Sequence, residues 1–159
     1  MQSIQTVSEN TIYVGASDRR LAKFENLFPI PRGVSYNAYV ILDEKTALLD
    51  TADASVGAQF LENVAAALDG RKLDYLIVDH MEPDHAAMIE AVLVRWPDLR
   101  LVVNAKTLPM LKMYFPTDSA AFDDALVVKE GDTLDLGKHK LTFVTVSYTH
   151  LRAHETDQY

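Results

Sequence analysis

The 159-residue chain contains no cysteine. That excludes disulfides, and it excludes the thiolate-rich sites that structural zinc favours. It leaves the redox compartment open. Positive charge is also scarce: 15 Lys and Arg stand against 23 Asp and Glu, a formal net charge of −8. That balance disfavours a nucleic-acid partner and tolerates a small neutral or cationic substrate. No run approaches the ~20 apolar residues that span a bilayer, so no membrane partner is expected. The start, Met1-Gln2-Ser3-Ile4-Gln5, has no basic head and no apolar stretch; a cytoplasmic location is expected. Repeats, Ser/Gly linkers and low-complexity segments are absent. Length and a hydrophobic content of 48% suit one domain with a sizeable core.

What is present concentrates in one place. His80-Met81-Glu82-Pro83-Asp84-His85 sets four metal-ligating side chains in one short stretch. It follows the apolar run Leu76-Ile77-Val78, which reads as a buried strand. Ala86 to Leu93 reads as a helix, so the ligands sit on a strand-to-helix loop stiffened by Pro83. Neutral imidazoles and carboxylates are the usual ligands of divalent transition metals. Four ligands on so short a loop are hard to aim at one ion. They divide more simply between two ions, His80 with Glu82 and Asp84 with His85. Such a centre can hold a small substrate between its metals. The plainer reading is a solvated loop whose Asp84 caps the following helix.

In chain order, residues 4–7 and 11–15 read as a hairpin turned at Ser8-Glu9-Asn10. Residues 18–33 look irregular, and Pro29 and Pro31 forbid a continuous helix there. Phe24, Leu27 and Phe28 are expected as core or subunit-interface anchors. Tyr36 to Leu42 and Thr46 to Asp50 read as strands around an Asp43-Glu44-Lys45 turn. Ala54 to Leu68 is an amphipathic helix with Phe60, Leu61, Val64 and Leu68 at helical spacing, closed by Asp69-Gly70. A strand over 73–78, a helix over 84–95, a strand over 99–103 and a helix over 107–115 follow. Met110, Met113 and Tyr114 of the last helix read as core. Strands at 126–128, 133–136 and 140–145 complete the pattern, and His139 falls in a polar turn. The order suits an α/β domain with two mixed sheets and helices outside.

The metal loop resembles the H-x-E-x-D-H signature of flavodiiron proteins, also called A-type flavoproteins, which include rubredoxin:oxygen oxidoreductase and flavorubredoxin. The likeness extends from about residue 3 to 145. It takes in Phe24 to Pro31, the segment Gly33-Val34-Ser35-Tyr36-Asn37-Ala38-Tyr39, and the Glu130-Gly131-Asp132 turn. The resemblance implies the N-terminal part of a metallo-β-lactamase-like αββα sandwich. Hydrolases of that superfamily usually carry H-x-H-x-D-H and bind zinc. Here Glu82 replaces the second His, and a carboxylate is the harder ligand that suits iron. The resemblance therefore implies two iron ions, with His80 and Glu82 on one and Asp84 and His85 on the other. It further implies reduction of dioxygen to water or of nitric oxide to nitrous oxide. Flavin mononucleotide (FMN) in a flavodoxin-like domain outside this chain would supply electrons, itself reduced by rubredoxin or a reductase, in a head-to-tail homodimer. A dinuclear zinc hydrolase, or an inactive truncated domain, is the alternative. Asp50-Thr51 is implied to support the site from beneath; a simple strand-end cap is the other reading. Residues 146–159 depart from the family pattern and are expected to be a non-native tail. His150 falls at a family ligand position within that tail and is counted as a ligand of the first iron. A bridging Asp and a last His would lie beyond this chain. A domain cut there is expected to leave one apolar sheet face bare and to be unstable alone.

Overall fold

Two-residue alternation governs the central strands, because successive side chains of a strand point to opposite faces. The computed structural model describes residues 3–24, 27–115 and 120–146. Its strands are β1 (Gln5–Ser8), β2 (Thr11–Tyr13), β3 (Ala16–Asp18), β4 (Lys23–Phe24), β5 (Phe28–Pro29), β6 (Val34–Tyr36), β7 (Tyr39–Leu42), β8 (Thr46–Leu49), β9 (Tyr75–Ile77), β10 (Arg100–Asn104), β11 (Leu126–Val128), β12 (Thr133–Asp135) and β13 (Lys140–Thr142). Its helices are α1 (Gly57–Leu68), α2 (Pro83–Ala86), α3 (Ile89–Arg95), α4 (Thr107–Tyr114) and α5 (Ala120–Asp123). A 3₁₀ turn, Ala54–Val56, leads into α1.

Seven strands form one mixed sheet in the order β1-β2-β7-β8-β9-β10-β11. The β1 to β8 half is antiparallel, and β8, β9, β10 and β11 run parallel. Val40, Leu48, Leu76, Leu101 and Val103 face one way. They pack under Phe60, Val64 and Leu68 of α1, Ile89 and Val92 of α3, Leu111 of α4 and Phe122 of α5. Their sequence neighbours Ile41, Ala47, Ile77 and Val102 face the other way, against Leu134 and Leu136. The result is helices on one face of the sheet and the β12–β13 hairpin on the other. That layering is the metallo-β-lactamase-like arrangement expected. Among the described residues the second layer is this two-stranded pair rather than a full mixed sheet, and it covers in part the face expected to be bare.

One carboxylate fastens the hairpin to the sheet. Asp43, in the β7–β8 turn, accepts from the Glu44 and Lys138 amides at 2.8 and 3.2 Å. Its other oxygen accepts from the His139 amide at 2.7 Å and meets His139 Nδ1 at 2.6 Å. His139 thus serves the fold, away from the metal loop. Burial acts to raise the Asp43 pKa, but the His139 ring and then the surrounding amides outweigh it and hold the carboxyl below the usual carboxylate range. A folded-state pKa below the unfolded value stabilises the fold above that unfolded value, about 4, and the benefit is lost as pH falls toward the folded pKa. The urea midpoint is therefore expected to drop between pH 5 and 3. Asp43→Asn is expected to lower the midpoint at pH 7 and to flatten that acid slope. An unchanged slope in the variant would count against the clamp.

Three expectations need correction. The single strand foreseen over Tyr36 to Leu42 is two: β6 pairs with β3, and β7 pairs with β2 and β8. The chain turns between sheets at Asn37-Ala38, where Ala38 O accepts from Val14 N at 2.9 Å. The helix foreseen over 84–95 breaks into α2 and α3, because buried Thr51 takes over backbone groups at the join. His85 O accepts from Thr51 N at 2.9 Å and from Thr51 Oγ1 at 2.6 Å. In a continuous helix that carbonyl serves the amide of residue 89. Of the three residues expected as core or subunit-interface anchors, Phe24 packs on the core, and Leu27 and Phe28 are exposed, which leaves them the interface role. Met110, Met113 and Tyr114 are also exposed, since Leu111 and Leu108 already fill the inner side of α4.

Candidate metal centre

The parallel strands β8 and β9 end side by side, and their carboxyl ends supply the site. Ligand sites of open α/β sheets form at this end, where loops diverge from the strands. Asp50 N donates to Ile77 O at 2.9 Å, and Val78 N donates to Val102 O at 3.0 Å. These bonds carry the strand register into the loop. Met81 turns into the core, 8% exposed. Its neighbours His80 and Glu82 therefore lie on the outer side of the loop. Glu82 takes the N-cap position of α2 in an extended conformation, with Pro83 first in the helix. Glu82 O then accepts from His85 N and Ala86 N, each at 2.9 Å. The cap is thus Glu82 and its carbonyl, rather than the Asp84 side chain of the plainer reading.

The four side chains come together as two pairs. His80 Nε2 lies 3.1 Å from Glu82 Oε1, and His85 Nε2 lies 3.5 Å from Asp84 Oδ2. The two imidazoles meet edge to face, with ring centroids 5.3 Å apart. Among the described residues no group of three or more ligating side chains is gathered around one point. His150 lies outside the described residues.

Behind the pairs stands Asp50, whose backbone is left-handed at φ 56°. Its Oδ1 accepts from Asp79 N at 2.7 Å, and its Oδ2 meets His85 Nδ1 at 2.9 Å. Thr51 grips the His85 carbonyl from the same strand end. Asp50-Thr51 thus orients His85 as well as ending the strand. The hydrogen bond to Asp50 raises the His85 pKa, with burial opposing it. Burial raises Asp84, with His85 opposing. The Asp79 side chain is exposed at the surface, yet the low-polarity surroundings of its carboxyl, then the Asp50 carboxylate, lift it to about 6. Asp79 went unnoticed in the sequence; its place between the apolar strand and His80 was the available signal.

The donor set fits a pair of metal ions. Bond lengths of about 2.0–2.2 Å from nitrogen and oxygen put neighbouring donors on one ion roughly 3–3.5 Å apart. Both pairs show that separation. A ligating imidazole usually donates its second ring nitrogen to a carboxylate, and Asp50 is in place to receive it from His85.

Fold and site together define a β-lactamase-like domain with mixed nitrogen and carboxylate donors at the sheet's carboxyl end. The chain belongs to the family described as "ODP family beta lactamase", whose model matches residues 34–156. A nitric oxide reductase of Moorella thermoacetica is 33% identical over 145 residues, covering 91% of this chain and 36% of that protein. The anaerobic nitric oxide reductase flavorubredoxin of Klebsiella pneumoniae is 33% identical over 146 residues, 91% of this chain and 30% of its own. Among solved structures, the rubredoxin oxygen:oxidoreductase of Desulfovibrio gigas matches with a TM-score of 0.82 at 31% identity, over 89% of this chain and 35% of that one. These relatives bear out the resemblance to flavodiiron proteins. The chain spans about a third of the length of the relatives it matches. Among the described residues no helix is long and apolar enough to cross a membrane.

Proposed function

We propose that this chain carries the metal loop of a flavodiiron oxidoreductase that reduces dioxygen to water, nitric oxide to nitrous oxide, or both. The observation that supports it best is the division of the loop into two donor pairs, each at the spacing of neighbours on one ion. His80 and Glu82 would hold one iron, and Asp84 and His85 the other. His150 would be a further ligand of the first. Bound iron would supply one-electron redox chemistry, which no side chain provides alone. The protein's own part is orientation. Asp50 presents His85 with Nε2 toward Asp84, Thr51 holds the His85 backbone, and the α2–α3 break keeps both on one short turn. Glu82 supplies a hard oxygen donor where a zinc hydrolase would carry His.

FMN bound elsewhere in the protein would feed the centre, reduced by rubredoxin or a reductase, within a head-to-tail homodimer in the cytoplasm. The test is gas consumption by the iron-loaded protein with a chemically reduced donor. Oxygen or nitric oxide uptake that depends on iron is expected. An iron-loaded protein that consumes neither gas, or a zinc-loaded one that hydrolyses a thioester, would overturn the activity.

A further inference from the structure

Two buried polar atoms beside the metal loop lack hydrogen-bond partners, Tyr36 Oη and Asp84 Oδ1. Buried polar groups left unpaired are costly, so such atoms ordinarily have a partner or an ordered water. Both residues line one cavity of about 230 Å³, bounded also by Leu21, Phe24, Asp53 and Ser55. The cavity is roomy enough for water, and Tyr36, Asp53, Ser55 and Asp84 bring polar groups to its lining, of the kind a held water needs. Tyr36 is 2% exposed and its hydroxyl is closed off from bulk solvent. Burial, then the Asp53 carboxylate, raises the phenol pKa. It therefore stays protonated and can donate. The Ser55 hydroxyl eases that shift without meeting hydrogen-bonding geometry. Asp84 divides its oxygens: Oδ2 is turned to His85 Nε2, and Oδ1 is the unpaired one.

We propose that Tyr36 is a positioning residue for the metal centre: through a water held in this cavity, its hydroxyl donates to the Asp84 oxygen that does not face His85. That bond fixes the carboxylate's rotation and leaves Oδ2 for the metal. The inference rests on the reading of Asp84 and His85 as ligands. It adds a residue contributed by β6, far in sequence from the loop it supports.

Tyr36→Phe tests it, since the ring stays and only the oxygen goes. The probe is cobalt(II), titrated into the 159-residue chain and followed by its visible absorption. Loss of an outer partner typically costs ~10–100-fold in metal affinity. The variant is expected to bind cobalt at least ~10-fold more weakly, with a shifted spectrum. The metal-free urea midpoint should be unchanged or higher. Equal affinity with an unchanged spectrum would overturn the proposal. Failure of the underlying metal reading would look different, as no cobalt binding by the unsubstituted chain. A crystal structure of that metal-free chain then decides. Water joining Tyr36 Oη to Asp84 Oδ1 supports the proposal, and a direct protein partner on Oδ1 overturns it.

Discussion

Asp50→Asn is expected to abolish tight metal binding while leaving the fold intact. The substitution keeps the shape of the side chain, and Asn tolerates the left-handed backbone at this position. The amide oxygen can still accept from Asp79 N, as Asp50 Oδ1 does at 2.7 Å. The change falls on His85. Asp50 Oδ2 accepts from Nδ1 and leaves the Nε2 lone pair toward Asp84. An Asn amino group in its place donates to Nδ1 and moves the ring proton to Nε2. A protonated nitrogen cannot ligate. Loss of such a carboxylate–histidine contact typically costs ~10–100-fold in metal affinity, and stability should change by less than about 1 kcal/mol. Calorimetric titration with iron(II) under anaerobic conditions, alongside urea unfolding, separates the two effects. Wild-type affinity in Asp50→Asn would mean that His85 does not depend on Asp50. Asp50→Ala should bind metal as poorly and also destabilise by about 1–3 kcal/mol, because the Asp79 amide loses its acceptor.

The largest effect on stability is expected at Phe60. Among the described residues it is the bulkiest fully buried side chain, 0% exposed, and it belongs to the core cluster that α1 forms with the sheet, with Val40, Leu48 and Val64. Truncating a buried Phe to Ala loses both transfer free energy and packing around the cavity, about 3–5 kcal/mol. Domains of this kind are stable by only about 5–15 kcal/mol in total. Phe60→Ala should therefore shift the urea midpoint sharply or prevent folding. Leu61, one position along and half-buried, should cost much less. A loss under about 1 kcal/mol at Phe60 would mean that α1 does not pack as described.

The sheet and helices were readable because alternation and helical spacing report directly which faces are buried. Val40 against Ile41, and Leu76 against Ile77, separate the two faces without any tertiary knowledge. The breaks were not readable. Splitting 84–95 into α2 and α3 depends on Thr51, a residue 34 positions away from the carbonyl it captures. The turn at Asn37-Ala38 depends equally on Val14. Hydrophobicity also misled locally: Met113 looks like core by type yet remains exposed, because Leu111 already occupies the inner side of α4. In the candidate site, the four loop residues could be singled out because ligand type and spacing are local, and the fold brings them together as two pairs. The resemblance brought Asp50-Thr51 into view. Asp79 and Tyr36 stayed hidden, since the first is tied to the site only through its amide on Asp50 and the second through a cavity that only the folded chain creates.

The most direct measurement is anomalous scattering at the iron absorption edge from crystals of the chain grown with iron(II). Two peaks are expected, one joining His80 Nε2 and Glu82 Oε1, the other joining Asp84 Oδ2 and His85 Nε2. A single peak shared by all four side chains, or none at the loop, would contradict the two-pair centre.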